Sequence, residues 1–418
     1  MKRLICLITC VLGGLCMISC AAKGGDTASD SEKAHEEEKR LLTVEEIMET
    51  SSKSSLKCDE YNLTKYMKEV WNSQIIYNET AMFFRDENGN ISDKTMIYPI
   101  AKVLEVRDNT LEMLYEEGKD YTVENGKLHI TEGSDIPVMK FEDYLTETPN
   151  NPSAVFASAA YEGRYYYYTE GQEMTSKQVS VTYIRTEEWK GPEIPSNSNK
   201  LPKTHKKLQN KENLNIVFYG DSVMAGCNSS GFSKVKPNMP VMSRLVTRRL
   251  FSLYGYNGDT TINEINTAVG GWTTNNGVEN SNFTPRVLDK NPDLVVIHFG
   301  CNDATWKLSP QTYGSNLRTM MRRVLAQNPD AEFILISSPG ANPDAVGSMG
   351  SMAGDYMDYI PVLEGLSEED NCAFVNMSEM SKFVLSRKDW VDITSNNINH
   401  PNDFLIRIEA QLIVSALL

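Results

Sequence analysis

Apolar positions change their spacing twice along the chain. Leu42, Ile47 and Met48, then Tyr61, Tyr66 and Val70, recur at helical intervals over 42–72. From about Ser73 the period falls to two, the interval at which strand side chains alternate between faces. Met82-Phe83-Phe84 runs into Glu87-Asn88-Gly89-Asn90, a hairpin turn signal, and 97–106 is strand-like. Tyr121-Thr122-Val123 and Lys127-Leu128-His129-Ile130 flank Glu124-Asn125-Gly126. Asn-Gly between alternating runs marks a two-residue hairpin, because both turn residues must take positive φ. Tyr165 to Tyr168 and Val179-Ser180-Val181-Thr182-Tyr183 add strands, and no helix of ordinary length interrupts 73–190. The pattern predicts an antiparallel β-sandwich of jelly-roll type.

After Leu214 short apolar runs at 216–219, 262–268, 294–299, 332–338 and 373–376 alternate with helical stretches at 241–253, 276–288, 313–327 and 356–366. A last helix covers 403–417. This alternation predicts an α/β domain: a parallel sheet with helices on both faces. The segment 192–213, rich in Pro, Ser, Asn and Lys, reads as a linker. The chain then divides into a signal segment (1–19), a tether (20–50), the β-sandwich (51–195), the linker (196–213) and the α/β domain (214–418).

The first residues carry an address. Lys2 and Arg3 precede an apolar stretch, Leu4 to Met17, too short to span a bilayer comfortably. It ends in Met17-Ile18-Ser19-Cys20-Ala21, which resembles a bacterial lipobox. The resemblance implies cleavage before Cys20 and lipid on that cysteine; the alternative is an ordinary secretory signal. The polar tract to Arg40 fits a tether. The expected location is the bacterial cell envelope, lipid-anchored and facing outside the cytoplasm, with the membrane as a partner.

The formal net charge of −15 becomes −17 without residues 1–19, which hold Lys2 and Arg3 and no acid. No basic block offsets it, which argues against nucleic acid as a partner. Past Cys20, four cysteines remain (Cys58, Cys227, Cys301, Cys372), at spacings of no metal site or disulfide scaffold. Cys227 and Cys301 adjoin motifs described next, and are either two buried thiols or a bonded pair. The tyrosines 165–168 are either a sugar-stacking platform or a half-buried strand.

The chemistry gathers at strand ends. The first strand of the α/β domain ends in Gly220-Asp221-Ser222. The second is followed by Val269-Gly270-Gly271-Trp272, the third by Gly300-Cys301-Asn302-Asp303. Near the C-terminus stands Asn397-Ile398-Asn399-His400-Pro401-Asn402-Asp403. Singly these read as a strand-ending turn, a turn glycine, a helix cap and a loop histidine. Together and in order, the four blocks resemble those of the SGNH hydrolases, or GDSL esterases, from about Asn213 to the C-terminus. The resemblance implies a flavodoxin-like parallel sheet, with Ser222 as nucleophile and His400 as base. It implies an oxyanion hole made of the Ser222 and Gly271 backbone N–H groups and the Asn302 amide, with Gly270 as the alternative to Gly271 for the second donor. A free hydroxyl is a poor nucleophile without a base, and preorganised donors stabilise the tetrahedral oxyanion, so these residue types suit acyl transfer. No metal or organic cofactor is required. No G-x-G-x-x-G or P-loop follows the first strand, which disfavours nucleotide binding. His298, on the third strand, reads as a buried structural histidine.

One position departs from the family pattern. The family usually has Asp three residues before the histidine; here it is Asn397. A Ser–His dyad oriented by a carbonyl is therefore expected, with Asp221, Asp392 and Asp403 as possible supporting groups. A similar dyad, and a β-sandwich ahead of the SGNH domain, occur in carbohydrate esterase family 2, whose members remove acetyl groups from plant polysaccharides. The resemblance implies an acetylated carbohydrate as substrate partner. An alternative is a lipid or lysophospholipid esterase, with Trp272, Trp306 and Trp390 lining an acyl channel rather than stacking sugars. The alternative from another class is a non-catalytic glycan-binding lipoprotein, against which the joint retention of Ser222, Asn302 and His400 argues.

Overall fold

The computed structural model describes residues 40–194, 196 and 199–418; the signal segment and Cys20 lie outside the described residues. Among the described residues no helix is long and apolar enough to cross a membrane.

The N-terminal region builds a mixed sheet, antiparallel as expected except at its edge, where the strand at 138–140 runs parallel to the one at 75–85. Its strands are β1 (Ile75–Arg85), β2 (Lys102–Asp108), β3 (Leu114–Tyr115), β4 (Val138–Lys140) and β5 (Gln178–Ile184), in the order β3-β2-β5-β1-β4. The Asn125-Gly126 hairpin forms, with φ of 51° and 74° at its two turn residues. Its glycine is also needed for space, since a Cβ there would sit 2.9 Å from the Pro99 Cβ. The turn at 87–90 forms too, but across it Arg85 meets Ile91 in a single bridge. β1 pairs with β5 instead, Thr80 opposite Ser180.

The period of two holds in β5, and its consequence differs from expectation. Val179, Val181 and Tyr183 join the apolar core. Gln178, Ser180 and Thr182, with Asn78 and Thr80 of β1, form the opposite, polar face, and it is buried too. The α/β domain covers it. Thr80 Oγ1 donates to the Asp392 carbonyl (2.6 Å), and Gln178 Nε2 donates to the carbonyls of Val391 (2.8 Å) and Thr394 (2.7 Å). Asn402 Nδ2 donates to Thr80 and Gln178. Buried polar groups are tolerated when every partner is supplied, and here one domain supplies the other. A second small sheet is likewise shared: Leu145–Thr146, Ala157–Ser158 and Tyr165–Tyr166 are joined by Ala345–Gly347 and Gly350–Ser351 of the α/β domain. Part of the layer expected from a self-contained sandwich thus comes from the other domain.

The α/β domain has five parallel strands, β6 (Leu214–Gly220), β7 (Ile262–Asn266), β8 (Leu294–His298), β9 (Glu332–Ile336) and β10 (Cys372–Val375). Their order is β7-β6-β8-β9-β10, so the winding reverses between β6 and β8. Ile216 and Phe218 face one helical layer, Val217 and Tyr219 the other. The first layer is continuous with the N-terminal core: Ile76, Phe83 and Val181 belong to the same apolar cluster as Ile216, Phe404 and Ile413. Leu41–Leu418 accordingly forms one compact unit.

The helical spacing read at 42–72 yields a helix inside the segment assigned to the tether, and one segment expected to be solvated is ordered. Val44–Thr50, within the predicted tether, is a helix with a Thr43–Glu46 capping box. Within the predicted linker, Pro202–Asn210 is a helix with Pro at its start, where a missing N–H costs nothing. Leu201 and Leu208 are fully buried, which stabilises by roughly 1.5–3 kcal/mol each. The N–H groups of Lys203 and Thr204 donate to the Glu332 carboxylate at 2.8 and 2.7 Å. A polar composition masked two anchoring leucines.

Candidate active site

The reversal of strand order between β6 and β8 opens a crevice at their carboxyl ends, where sheets of this kind hold ligands. Gly220 ends β6 against β8: a Cβ there would lie 2.1 Å from the His298 carbonyl oxygen. The Asp221 N–H donates to that oxygen (3.2 Å). Asp221 then caps the four-residue helix Ser222–Ala225, its Oδ1 accepting from the Val223 N–H at 2.9 Å. This sets Ser222 as the first helical residue, whose N–H has no acceptor within the helix.

Beside it runs the loop after β7. The Val269 N–H donates to the Gly220 carbonyl (3.0 Å), and a Cβ on Gly270 would lie 3.7 Å from the Ser222 Cβ. Gly271 has φ of 79°, a conformation that favours glycine, and it is exposed. Asn302 Nδ2 donates to the Trp272 carbonyl at 2.9 Å, which fixes the amide and leaves its second hydrogen free to donate elsewhere. Asp303 accepts from the Thr274 N–H (2.9 Å) and hydroxyl (2.6 Å), tying the same loop to β8. Burial pushes the Asp303 carboxyl up to about 6, against the opposing effect of the Thr274 bonds. Ser222, Gly271 and Asn302 thus stand at adjacent strand ends, linked by named hydrogen bonds.

His400 arrives on a loop folded on itself. Its N–H donates to Asn396 Oδ1 (3.0 Å), and its carbonyl accepts from the Ser395 N–H (2.9 Å) and the Thr394 hydroxyl (3.1 Å). Asn399 Nδ2 lies 3.9 Å from Cys301 Sγ, beside Asn302. The His400 ring bonds through Nδ1 to Asn228 Oδ1. The assignment of atoms follows from the next bond: Asn228 Nδ2 donates to the Glu170 backbone carbonyl at 2.8 Å, and a carbonyl only accepts. The amide oxygen therefore faces the ring, and Nδ1 carries the proton. This leaves Nε2 as the basic nitrogen. The Glu170 carboxylate lies 3.5 Å from the same Nδ1. Partial burial acts to raise the Glu170 carboxyl, but His400, Tyr168 and Asn228 outweigh it and hold it below its usual range.

The other residues singled out in the sequence are engaged elsewhere. Asn397, at φ 74°, donates from Nδ2 to the Tyr167 carbonyl (3.0 Å), not to His400. Asp392 accepts from the Met82 N–H (2.7 Å) and pairs with Lys94 (3.3 Å), clamping β1. Asp403 accepts from the Ser230 N–H (2.9 Å) and hydroxyl (2.5 Å), so it braces the turn that carries Asn228. The Asp221 carboxyl is fully buried; burial raises it, with His298 and His400 opposing. His298 is buried and pairs with Glu409 at 2.9 Å. Cys227 and Cys301 are free thiols. The tyrosine run serves the seam between the domains, through the Tyr167 carbonyl and the Tyr168 hydroxyl, which bonds Glu170. Asn228 and Glu170 went unseen in the sequence. Asn228 sits in the turn just beyond the nucleophile block, the one local hint available; nothing along the chain points to Glu170.

Comparison with known proteins bears on residues 218–404, which match the GDSL-like Lipase/Acylhydrolase family. An uncharacterized protein of Mycoplasma pneumoniae is 25% identical over 205 residues, 47% of this chain and 21% of that protein. A two-domain esterase active on acetylated mannans, co-crystallised with mannopentaose, is 22% identical over 52% of each chain, with a TM-score of 0.39. A lipase/acylhydrolase from Enterococcus faecalis is 24% identical over 48% of this chain and 93% of its own, with a TM-score of 0.36. The chain spans less than two thirds of the Mycoplasma protein and of the mannan-active esterase. The segment that matches the GDSL-like Lipase/Acylhydrolase family model contains Ser222, Gly271, Asn302 and His400.

Proposed function

We propose that the protein is a serine esterase that removes O-acetyl groups from a carbohydrate at the envelope surface. One observation carries the reading: Asn228 accepts from His400 Nδ1–H, which leaves Nε2 as the basic nitrogen, on a ring that bears electrostatically on Asp221, the residue before Ser222. In this mechanism Ser222 Oγ attacks the acyl carbon as His400 Nε2 takes its proton. The carbonyl oxygen becomes an oxyanion, which the N–H groups of Ser222 and Gly271 and the free amide hydrogen of Asn302 stabilise. Each such donor contributes about 3–4 kcal/mol in known cases. Collapse breaks the C–O bond, and His400 returns the proton to the leaving alcohol. Water then repeats the sequence on the acyl-enzyme, releasing acetate and Ser222.

The carbohydrate and the anchor belong to the same proposal. Trp306, one turn beyond Asn302 at the end of the short helix after β8, is 56% exposed and offers an aromatic surface. The lipobox-like Met17 to Ala21 supports attachment at Cys20. The test is hydrolysis of p-nitrophenyl acetate by the mature chain and by Ser222→Ala. Loss of activity with an unchanged fold is expected. Residual activity within about tenfold, a barrier change of only about 1.4 kcal/mol, would remove Ser222 as nucleophile. Acetate release from acetylated glycans should exceed turnover of octanoyl esters, and the opposite preference would select a lipid substrate. Cys20→Ser should free the protein from membranes; finding unmodified Cys20 in the mature wild type would refute the anchor.

A further inference from the structure

We propose that Glu170, on the antiparallel domain, is a positioning residue for the base: its carboxylate supplies the negative charge that position 397 lacks, so the active site is complete only with both domains. The inference rests on the Ser222–His400 reading above and adds a third member to it.

Three observations carry it. Glu170 Oε2 lies 3.5 Å from His400 Nδ1, the nitrogen that becomes part of the imidazolium in the transition state. The same residue's backbone carbonyl accepts from Asn228 Nδ2, so Glu170 also holds the amide that orients the ring. And the carboxylate is itself fixed: the Tyr168 hydroxyl donates to its other oxygen, while the Tyr167 carbonyl, one residue earlier, is bound by Asn397 of the histidine loop. Residues 167–170 therefore dock along that loop as a strip. Asn228 orients the ring but brings no charge. Among the described residues, the Asp221 carboxyl at the end of β6 and the Glu170 carboxyl each feel the His400 ring. Asp221 is fully buried and spends one oxygen on the Val223 N–H. Glu170 alone lies beside Nδ1, the side on which a charged partner stabilises imidazolium without competing for the proton of Ser222.

The experiment uses the full mature chain and p-nitrophenyl acetate, with kcat and KM followed from about pH 4.5 to 9. Glu170→Gln keeps the backbone carbonyl that holds Asn228 and nearly the same side-chain volume, and removes the charge. A fall in kcat of about tenfold or more, with KM within about twofold, is expected. The acidic limb of the kcat/KM profile should move to lower pH, because imidazolium loses a stabilising charge. Glu170→Asp should recover part of the rate. Unchanged kcat with an unmoved limb overturns the proposal. So does a fall in rate without movement of the limb, since that is what a packing role alone would produce. If wild type shows no esterase activity, or Ser222→Ala retains it, the underlying reading has failed instead. If both behave as expected and Glu170→Gln resembles wild type, only the assignment of Glu170 falls.

Discussion

At the scale of single residues, two asparagines divide a task that one aspartate performs in the usual family pattern. Asn397 occupies the aspartate's position but bonds the Tyr167 carbonyl, while Asn228 takes the histidine. Their substitutions should separate cleanly. Asn228→Ala removes the acceptor of Nδ1–H and frees the ring; kcat for p-nitrophenyl acetate should fall by about a hundredfold or more, since a mispositioned base loses the proton-transfer contribution. Asn397→Ala should leave kcat within about tenfold but lower stability by about 1–2 kcal/mol, because alanine is strained at positive φ and a hydrogen bond is lost. Steady-state kinetics with urea unfolding measures both. Equal losses of kcat would show that Asn397 governs the ring as much as Asn228 does. Asp392 and Asp403 belong to this scale as well: each is spent on backbone N–H groups, which explains why neither stands in for the missing aspartate.

At the scale of elements, the loop after β7 and the helix after β8 are coupled through Asp303, whose bonds to Thr274 fix the segment that presents Gly271. Burial raises this carboxyl to about 6, against about 4 in an unfolded chain. The folded state then binds more protons than the unfolded one between those values. This contribution to stability is fully present below about pH 4 and is lost as pH rises through about 6; two pKa units correspond to roughly 2–3 kcal/mol. Asp303→Asn keeps an oxygen for Thr274 and cannot titrate. Its unfolding free energy, measured by urea at intervals from pH 4 to 8, should gain relative to wild type across that window and stay level above it. A wild-type-minus-variant difference that is flat with pH would remove Asp303 as the titrating group.

At the scale of the whole molecule, the two domains share one apolar core and one compact unit. The polar face of β1 and β5 is satisfied by 390–411, and the apolar cluster runs through both regions. Lys388 and Glu79 pair across the seam at 2.9 Å, both fully buried. Differential scanning calorimetry of the mature chain should show a single transition for 41–418 rather than two. Lys388→Met should lower that same transition, because the variant leaves Glu79 buried without its cation, a loss of about 3–5 kcal/mol. Two resolved transitions, or a variant that shifts only one of them, would mean that the domains unfold independently.

What was legible in the sequence was whatever local patterns encode. The strand runs of the α/β domain, the Asn125-Gly126 turn and Gly220 ahead of Ser222 are each demanded by backbone sterics or a short period, and each formed where the residues pointed. The order of four short blocks pointed to the family whose model residues 218–404 match. The polar strand face, the helix hidden in a polar linker and the partner of His400 were not legible. Each depends on which distant segment covers a given side chain, and sequence patterns carry burial but not the identity of the covering group. Alternation cannot tell a face turned to water from a face turned to a hydrogen-bonding partner. Position 397 shows the same limit from the other side: the family spacing names a residue, while in the fold Asn397 bonds the Tyr167 carbonyl and Asn228 bonds the His400 ring, because such contacts are made through space and not along the chain.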